Sequence, residues 1–348
     1  MHYLYIAIKT ATELREIREM EKSTLDSLHI KITAQDFGTA CFMVGKLATE
    51  QPFANELNLV SEKSKNKQSL VMLLTASALD AVADNSLFNQ QTNTYVANYN
   101  LSIGLPISQN GIQDKSELTA MLKKKYYIEF LNTRDIAGKK VELEFANVQI
   151  NTEALAAYAT LLMKNPTLSK NNVMLYDIGG LTNDVTVITN NQVNNAYSNS
   201  FKEGMAVVLD SIKQKLAIKH NYRLNSRQQV IDLLLKGKEE WKISVFGESI
   251  DVSEVIDFEL KQYAEKIVRH VEAIWFEVPS VECCYFMGGG SVMLNKYLLE
   301  SMHSLGMKMN LKFIDAATAV WANVEGYSII ANKIFAKPSE EENKWSLM

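Results

Sequence analysis

Leu175-Tyr176-Asp177-Ile178-Gly179-Gly180-Leu181-Thr182-Asn183-Asp184 is the stretch from which the rest of the chain reads most clearly. The apolar run from Val173 to Tyr176 predicts a buried strand that delivers the carboxylate of Asp177 at its end. Gly179 and Gly180 come next, and a backbone without Cβ atoms can approach a ligand closely. Thr182 and Asn183 add short hydrogen-bonding side chains, and Val185 to Ile188 predicts a second strand at once. A hairpin of this kind can wrap phosphate oxygens. Its N–H groups and a hydroxyl point at the anion while the carboxylate holds Mg²⁺ through water. An ordinary tight hairpin is the plain alternative, and Asp184, seven residues after Asp177, weighs against it.

A second signal of the same sort is Cys284-Tyr285-Phe286-Met287-Gly288-Gly289-Gly290-Ser291. A buried strand runs into three glycines, read as a turn, and then into a helix predicted over Ser291 to Leu305. A flat ligand can lie on such a backbone, and the helix N-terminus favours an anion. A simple strand-to-helix turn seldom needs three glycines. Two such turns within one domain's length suit two strands lining one cleft.

Around these signals the chain alternates strands with helices, which predicts α/β domains with mixed sheets. His29 to Thr33, Ala40 to Val44, Tyr95 to Leu105 and the alternating Val141, Leu143 and Phe145 read as strands. Residues 10–25 are charged and helix-prone, Leu70 to Ala83 reads as a buried helix, and Asp114 to Tyr127 as a basic one. Asn151 or Thr152 caps a helix running through Leu162. A third strand is predicted around Val193 to Tyr197, followed by helices over 203–219 and 226–236. Trp241 to Phe246 and Ile250 to Val252 form a hairpin around Gly247-Glu248, and Ser253 caps a long helix ending before Pro279. Phe313 and Ile314 read as a last strand before a helix from Ala316 to Phe335. The boundary between domains falls in Asn165 to Asn172, a stretch of Pro, Asn, Ser and Lys.

Composition narrows the function classes. The 348 residues suit about two domains, at roughly 100–200 residues each. With 47% hydrophobic and 22% charged residues the chain has ample material for a core and is not disordered. A formal charge of -4 gives no basic field, which argues against direct nucleic-acid binding as the main task. The three cysteines, two of them adjacent, cannot form a disulfide framework and suit reduced thiols. The N-terminus lacks the pattern of a signal peptide, and the most apolar stretch, Leu70 to Ala83, is too short to span a bilayer. A cytoplasmic location and no membrane partner are expected. The five histidines show no ligand spacing, and neither HExxH, CxxC, a Walker loop nor a Rossmann fingerprint is present.

The two glycine turns together resemble those of the actin-like ATPases, the superfamily shared with DnaK-type chaperones and sugar kinases. Asp177 to Asp184 is similar to its second phosphate motif and Gly288-Gly289-Gly290 to its adenosine motif. Gln149 to Leu162, with Ala156-Ala157-Tyr158, and Ala322-Asn323-Val324-Glu325-Gly326-Tyr327 resemble the two connecting helices between the domains. Met43-Val44-Gly45-Lys46-Leu47-Ala48, Ile103-Gly104-Leu105-Pro106 and the compact spacing look most like the ParM-type branch, bacterial filaments that segregate plasmids.

The resemblance implies an α/β actin-like (ribonuclease H-like) fold of two domains, 1–164 plus 321–348 and 165–320, with a nucleotide cleft between them. It implies ATP and Mg²⁺ as ligands, self-association into filaments, and a DNA-binding adaptor protein in place of direct DNA contact. By position, Asp177 would organise the Mg²⁺ shell and the attacking water, and Glu153 would position water. Gly179, Gly180, Leu181, Thr182 and Asn183 would cradle phosphates. Gly288, Gly289 and Gly290 would back the adenosine, and Lys213 would reach the base or ribose. For Glu153 a first-turn acid favoured by the helix dipole is the alternative, and for Lys213 a solvated surface lysine. The family's opening strand and Asp-x-Gly turn find no counterpart in residues 1–29, which contain no glycine. A catalytically inactive scaffold and a small-molecule kinase of the same superfamily are therefore the rival expectations.

Overall fold

The computed structural model describes residues 6–8, 24–35, 38–51, 65–109 and 111–335. The helix expected within residues 10–25 falls mostly outside them.

The first half builds a seven-stranded sheet. In chain order its elements are β1 (Ile6–Ile8), β2 (His29–Ala34), β3 (Gly38–Val44), α1 (Lys46–Thr49), α2 (Lys67–Ala83), β4 (Phe88–Asn89), β5 (Thr94–Leu105), α3 (Ile112–Leu122), β6 (Tyr126–Phe130) and β7 (Lys140–Thr152). The strand order is β1-β3-β2-β6-β7-β5-β4. Strand β7 buries Val141, Leu143 and Phe145 and turns Glu142 and Glu144 away, as its alternation requires. It runs parallel to β5, with a bulge between Tyr99 and Asn100. Among the described residues, β5 from Val96 to Leu105 pairs with no strand on its other edge. Leu70, Val71, Leu74 and Ala78 seat α2 on this sheet, and Asn66 caps that helix by accepting from the N–H of Gln68 and Ser69.

The second half builds a six-stranded sheet from β8 (Val173–Ile178), β9 (Asn183–Thr189), β10 (Gln192–Val193), β11 (Asn199–Phe201), β14 (Cys283–Met287) and β15 (Asn310–Phe313). Four strands form the run β9-β8-β14-β15, with β10 and β11 both on β9. Every residue of β8 is buried, which suits a central strand covered on both faces. It pairs antiparallel with β9 and parallel with β14. Helices α5 (Met205–His220), α6 (Arg227–Leu235), α7 (Ser253–Glu277) and α8 (Gly288–Ser304) close a core with Tyr176, Leu209, Ile256, Phe286 and Leu298. A separate hairpin, β12 (Lys242–Val245) and β13 (Glu248–Asp251), precedes α7.

Two helices join the halves. Helix α4 (Glu153–Lys164) leaves β7 and packs Ala157 and Leu161 with Val173, Leu175 and Ile188 of the second sheet. Helix α9 (Ala316–Phe335) returns and lays Tyr327 against Gly104 of β5. They cross so closely that a Cβ on Gly326 would strike the backbone of Ala156. The Thr160 hydroxyl donates to the carbonyl of Ala322 at 2.7 Å beside that point.

Four details differ from the sequence reading. The basic helix stops at Leu122, because Tyr126, Ile128 and Phe130 alternate as a strand buried against β2 and β7. The strand expected around Val193 to Tyr197 splits into β10 and β11. The β12–β13 turn is Phe246-Gly247 rather than Gly247-Glu248. Ser253 lies inside the long helix, its N–H accepted by Asp251 Oδ1 at 2.8 Å.

Candidate functional site

Gly179 to Thr182 form the loop between β8 and β9, and this loop is welded to the start of α5. Gly179 N–H donates to Thr182 O at 2.9 Å. Gly204, Met205 and Ala206 donate their N–H groups to the carbonyls of Leu181, Gly179 and Gly180 at 3.0, 3.0 and 2.8 Å. A Cβ on Gly204 would lie 2.6 Å from Thr182 N, so only glycine allows this approach. With its carbonyls turned to α5, the loop keeps three N–H groups in reserve. Those of Gly180, Leu181 and Thr182 meet no acceptor among the described residues. Successive free N–H groups in a turn form a concave anion-binding nest.

Carboxylates from both halves gather beside the nest. Asp177 is the last residue but one of β8 and faces Asp184 directly across the β8–β9 ladder. Asn323 of α9 donates to Asp177 Oδ2 at 2.8 Å. Thr182 Oγ1 donates to Asp184 Oδ2 at 2.8 Å, while Asp184 Oδ1 is buried without a partner. Burial, and then the charges of Glu153 and Asp177, push the Asp184 carboxyl up to about 7, against the pull of the nearby Ser200 and Thr182 hydroxyls. Tyr327 sits in the same field. Burial, then Glu153, Asp177 and Asp184, hold its phenol well above the ordinary range. Glu153 is the first residue of α4, so β7 and the helix that follows it bring this acid to the cluster.

The orphaned Oδ1 atoms of Asp184 and Asn323 and the crowded carboxylates fit a cation near this point. No group of three His, Cys, Asp or Glu side chains among the described residues is placed to ligate a metal directly. The fit is therefore to a cation held through its water shell, as Mg²⁺ prefers.

The three glycines after β14 open α8 itself rather than a separate turn. Gly288 has φ 77°, and a Cβ there would collide with the Asp177 carboxylate. A Cβ on Gly290 would meet Ile178 and, at 2.8 Å, Met205 Cγ. These two glycines bring α8 against the end of β8, and half-buried Gly289 lies between them.

The sequence-predicted residues thus divide. Asp177, Glu153, Gly179, Gly180, Leu181, Thr182 and Gly288 come together around the end of β8. Asn183 points elsewhere: its amide donates to Glu203 O at 3.0 Å and to Tyr263 at 3.1 Å within the second core. Lys213 lies about 12 Å along α5 from its first residue. It stands 3.9 Å from Asp210, which Arg227 grips through two hydrogen bonds. Asp184, Asn323 and Tyr327 were not among the predicted site residues. Asn323 and Tyr327 are four apart and share one face of α9, a signal visible in the sequence only once that face has a destination. From the first half, Gly38 opens β3 opposite Ala34 of β2, with φ 68° and no atom within 4 Å of its Cβ position.

Residues 6–155 match the family model described as the actin-like proteins N-terminal domain, and residues 172–311 match the Alp7A C-terminal domain. No curated protein matches the sequence. Among solved structures, the chain is similar to a ParM filament from Clostridium botulinum, with 20% identity over 95% of this chain and 92% of that one and a TM-score of 0.68. Bacillus thuringiensis ParM with ATP gives 18% identity over 95% and 90%, with a TM-score of 0.67. Ta0583, an archaeal actin homologue, gives 15% identity over 94% and 91%, with a TM-score of 0.69.

Proposed function

This chain is a member of the actin-like superfamily with ParM-type similarity, and on that premise we propose that it binds ATP in the cleft at the end of β8. On this reading it hydrolyses ATP and assembles with copies of itself into filaments that move plasmid DNA through a DNA-binding adaptor. The observation that carries the nucleotide reading is the nest of Gly180, Leu181 and Thr182 N–H groups beside the acids of both halves. Each half supplies something. The loop N–H groups receive phosphate oxygens, and the Thr182 hydroxyl holds Asp184 beside them. Asp177, kept in place by Asn323, orients water at the end of β8. Glu153 and Asp184 set the local charge, and Gly289 offers bare backbone to the adenosine. Mg²⁺ supplies charge neutralisation on the phosphates when bound. Self-assembly is supported by the fold shared with the filament-forming ParM from Clostridium botulinum.

Asn183 and Lys213 are left out of this ligand set, since their side chains are engaged elsewhere. The catalytically inactive scaffold and the small-molecule kinase are the alternatives to this reading. Phosphate release and pelleting, measured together with ATP and with a non-hydrolysable analogue, decide between them. Release with assembly supports the ATPase. Assembly without release supports the scaffold. Release only with an added small-molecule acceptor, and no pelleting, replaces both with a kinase.

A further inference from the structure

The β12–β13 hairpin turns on Phe246-Gly247, with left-handed backbone at both positions: φ is 52° at Phe246 and 87° at Gly247. Two-residue hairpin turns of this hand favour Asn, Asp or Gly at the first position. A bulky aromatic there is an outlier. Phe246 also gains nothing from its own chain, because it is 96% exposed. The base beneath it is firm. Trp241, Ile243 and Val252 are buried in the second core, and Trp241 Nε1 donates to Leu234 O at 3.3 Å. A fixed platform therefore holds an apolar knob in water.

Helices α5 and α7 form a groove of about 300 Å³ lined by Lys215, Ile218, Lys219, Glu254, Val255 and Phe258. Ile218 and Phe258 are 77% and 51% exposed along it. Its rim is charged. Lys215 pairs with Glu259 and stands 4.6 Å over the Phe258 ring, and Lys219 reaches Glu254 at 3.2 Å. An apolar centre inside a polar rim is the layout of an interface hot spot.

We propose that Phe246 seats in the α5–α7 groove of a second copy of this chain. Glu248, exposed and without an ion-pair partner among the described residues, then competes with Glu259 and Glu254 for the lysines of the rim. That charge match orients the encounter. Knob and groove are different patches, so a contact made one way only is heterologous and extends from copy to copy, whereas a mutual exchange of knobs closes into a dimer. The proposal takes its role from the assembly reading above, while the contact itself stands on the hairpin and the groove.

The test is sedimentation of the parent, Phe246→Asn and Ile218→Glu, with and without ATP and Mg²⁺, beside melting curves. Phe246→Asn removes the knob and supplies a residue the turn prefers, so its melting temperature should hold or rise. Its critical concentration for assembly should rise at least about tenfold, and Ile218→Glu should do the same from the other side. Both variants should keep the parent's ATP-dependent melting shift. If the parent assembles and both variants assemble alike, this contact falls and the assembly reading stands. If the parent forms only short oligomers and the variants lose them, the contact stands and the filament reading falls. A parent that is monomeric under every condition overturns both.

Discussion

Asp184 gives up its proton only near neutrality because burial and two neighbouring acids oppose its charge. An unfolded aspartate ionises near ~3.9, whereas the folded carboxyl does so at about 7. Between those values the folded chain binds more protons than the unfolded one, so stability falls as pH rises through this window. Asp184→Asn removes the titration. Its melting temperature relative to the parent should therefore be higher at pH 8 than at pH 5, and equal offsets at the two pH values would show that another group titrates. Asp177→Ala leaves the fold standing and removes a group fixed by Asn323. Hydrolysis should drop by at least ~10²-fold, as with the loss of one preorganised electrostatic group, and a variant turning over at the parent rate would remove Asp177 from the chemistry. Asp177 was legible because a run of apolar residues led straight to it. Asn323 and Tyr327 were not, since their meeting with Asp177 depends on α9 returning from the far end of the chain. Asn183 misled for the opposite reason: the sequence places it in the loop, but strand pleat turns its side chain into the core.

Helix α8 shows at the next scale why one glycine run can carry two duties. Gly290 faces Ile178 and Met205, so Gly290→Val should cost about 1–3 kcal/mol by overpacking. Gly289→Val should leave melting unchanged without ligand. It should abolish the stabilisation from ATP, roughly 2.7 kcal/mol at 100 times the dissociation constant. Equal ligand-dependent shifts in Gly289→Val and the parent would leave the run a packing device alone. Strands β8 and β14 were legible because apolar residues lead into glycine, and β9 because Val185, Val187 and Ile188 run up to the turn at Asn190-Asn191. Strand β6 was not, because the helix pattern before it runs on through Lys123 to Lys125 with no breaker, and only pairing with β2 and β7 settles the matter. The glycines of α8 read as a turn because propensity disfavours three glycines in a helix; packing against the end of β8 overrides that preference.

Across the whole molecule, the expected signature of function is a sharp rise in light scattering above a critical concentration when ATP is added. A charge of -4 predicts no shift of bare DNA at physiological salt. A retarded DNA band with the protein alone would remove the need for an adaptor. The two-half plan was legible from paired glycine turns and a polar break after α4. The sharing of α4 and α9 between the sheets came from the resemblance of Gln149 to Leu162 and Ala322 to Tyr327 to connecting helices, not from their own pattern, since each helix is apolar enough to serve either half and the backbones decide the matter where they touch. That crossing has a mechanical consequence. With no side chain between Gly326 and Ala156, the helices touch backbone to backbone there and that point resists rotation least, while sliding is resisted by the Thr160 bond to Ala322 and by Lys164, which reaches Thr318 and Glu325. Glu153, Asn323 and Tyr327 all lie within a turn of this axle, so they travel least when the halves rotate. The outer strands of both sheets travel farthest. A displacement at the end of β8 too small to disturb the acids would thereby be geared up into a larger swing at the rims, where a neighbouring subunit would feel it.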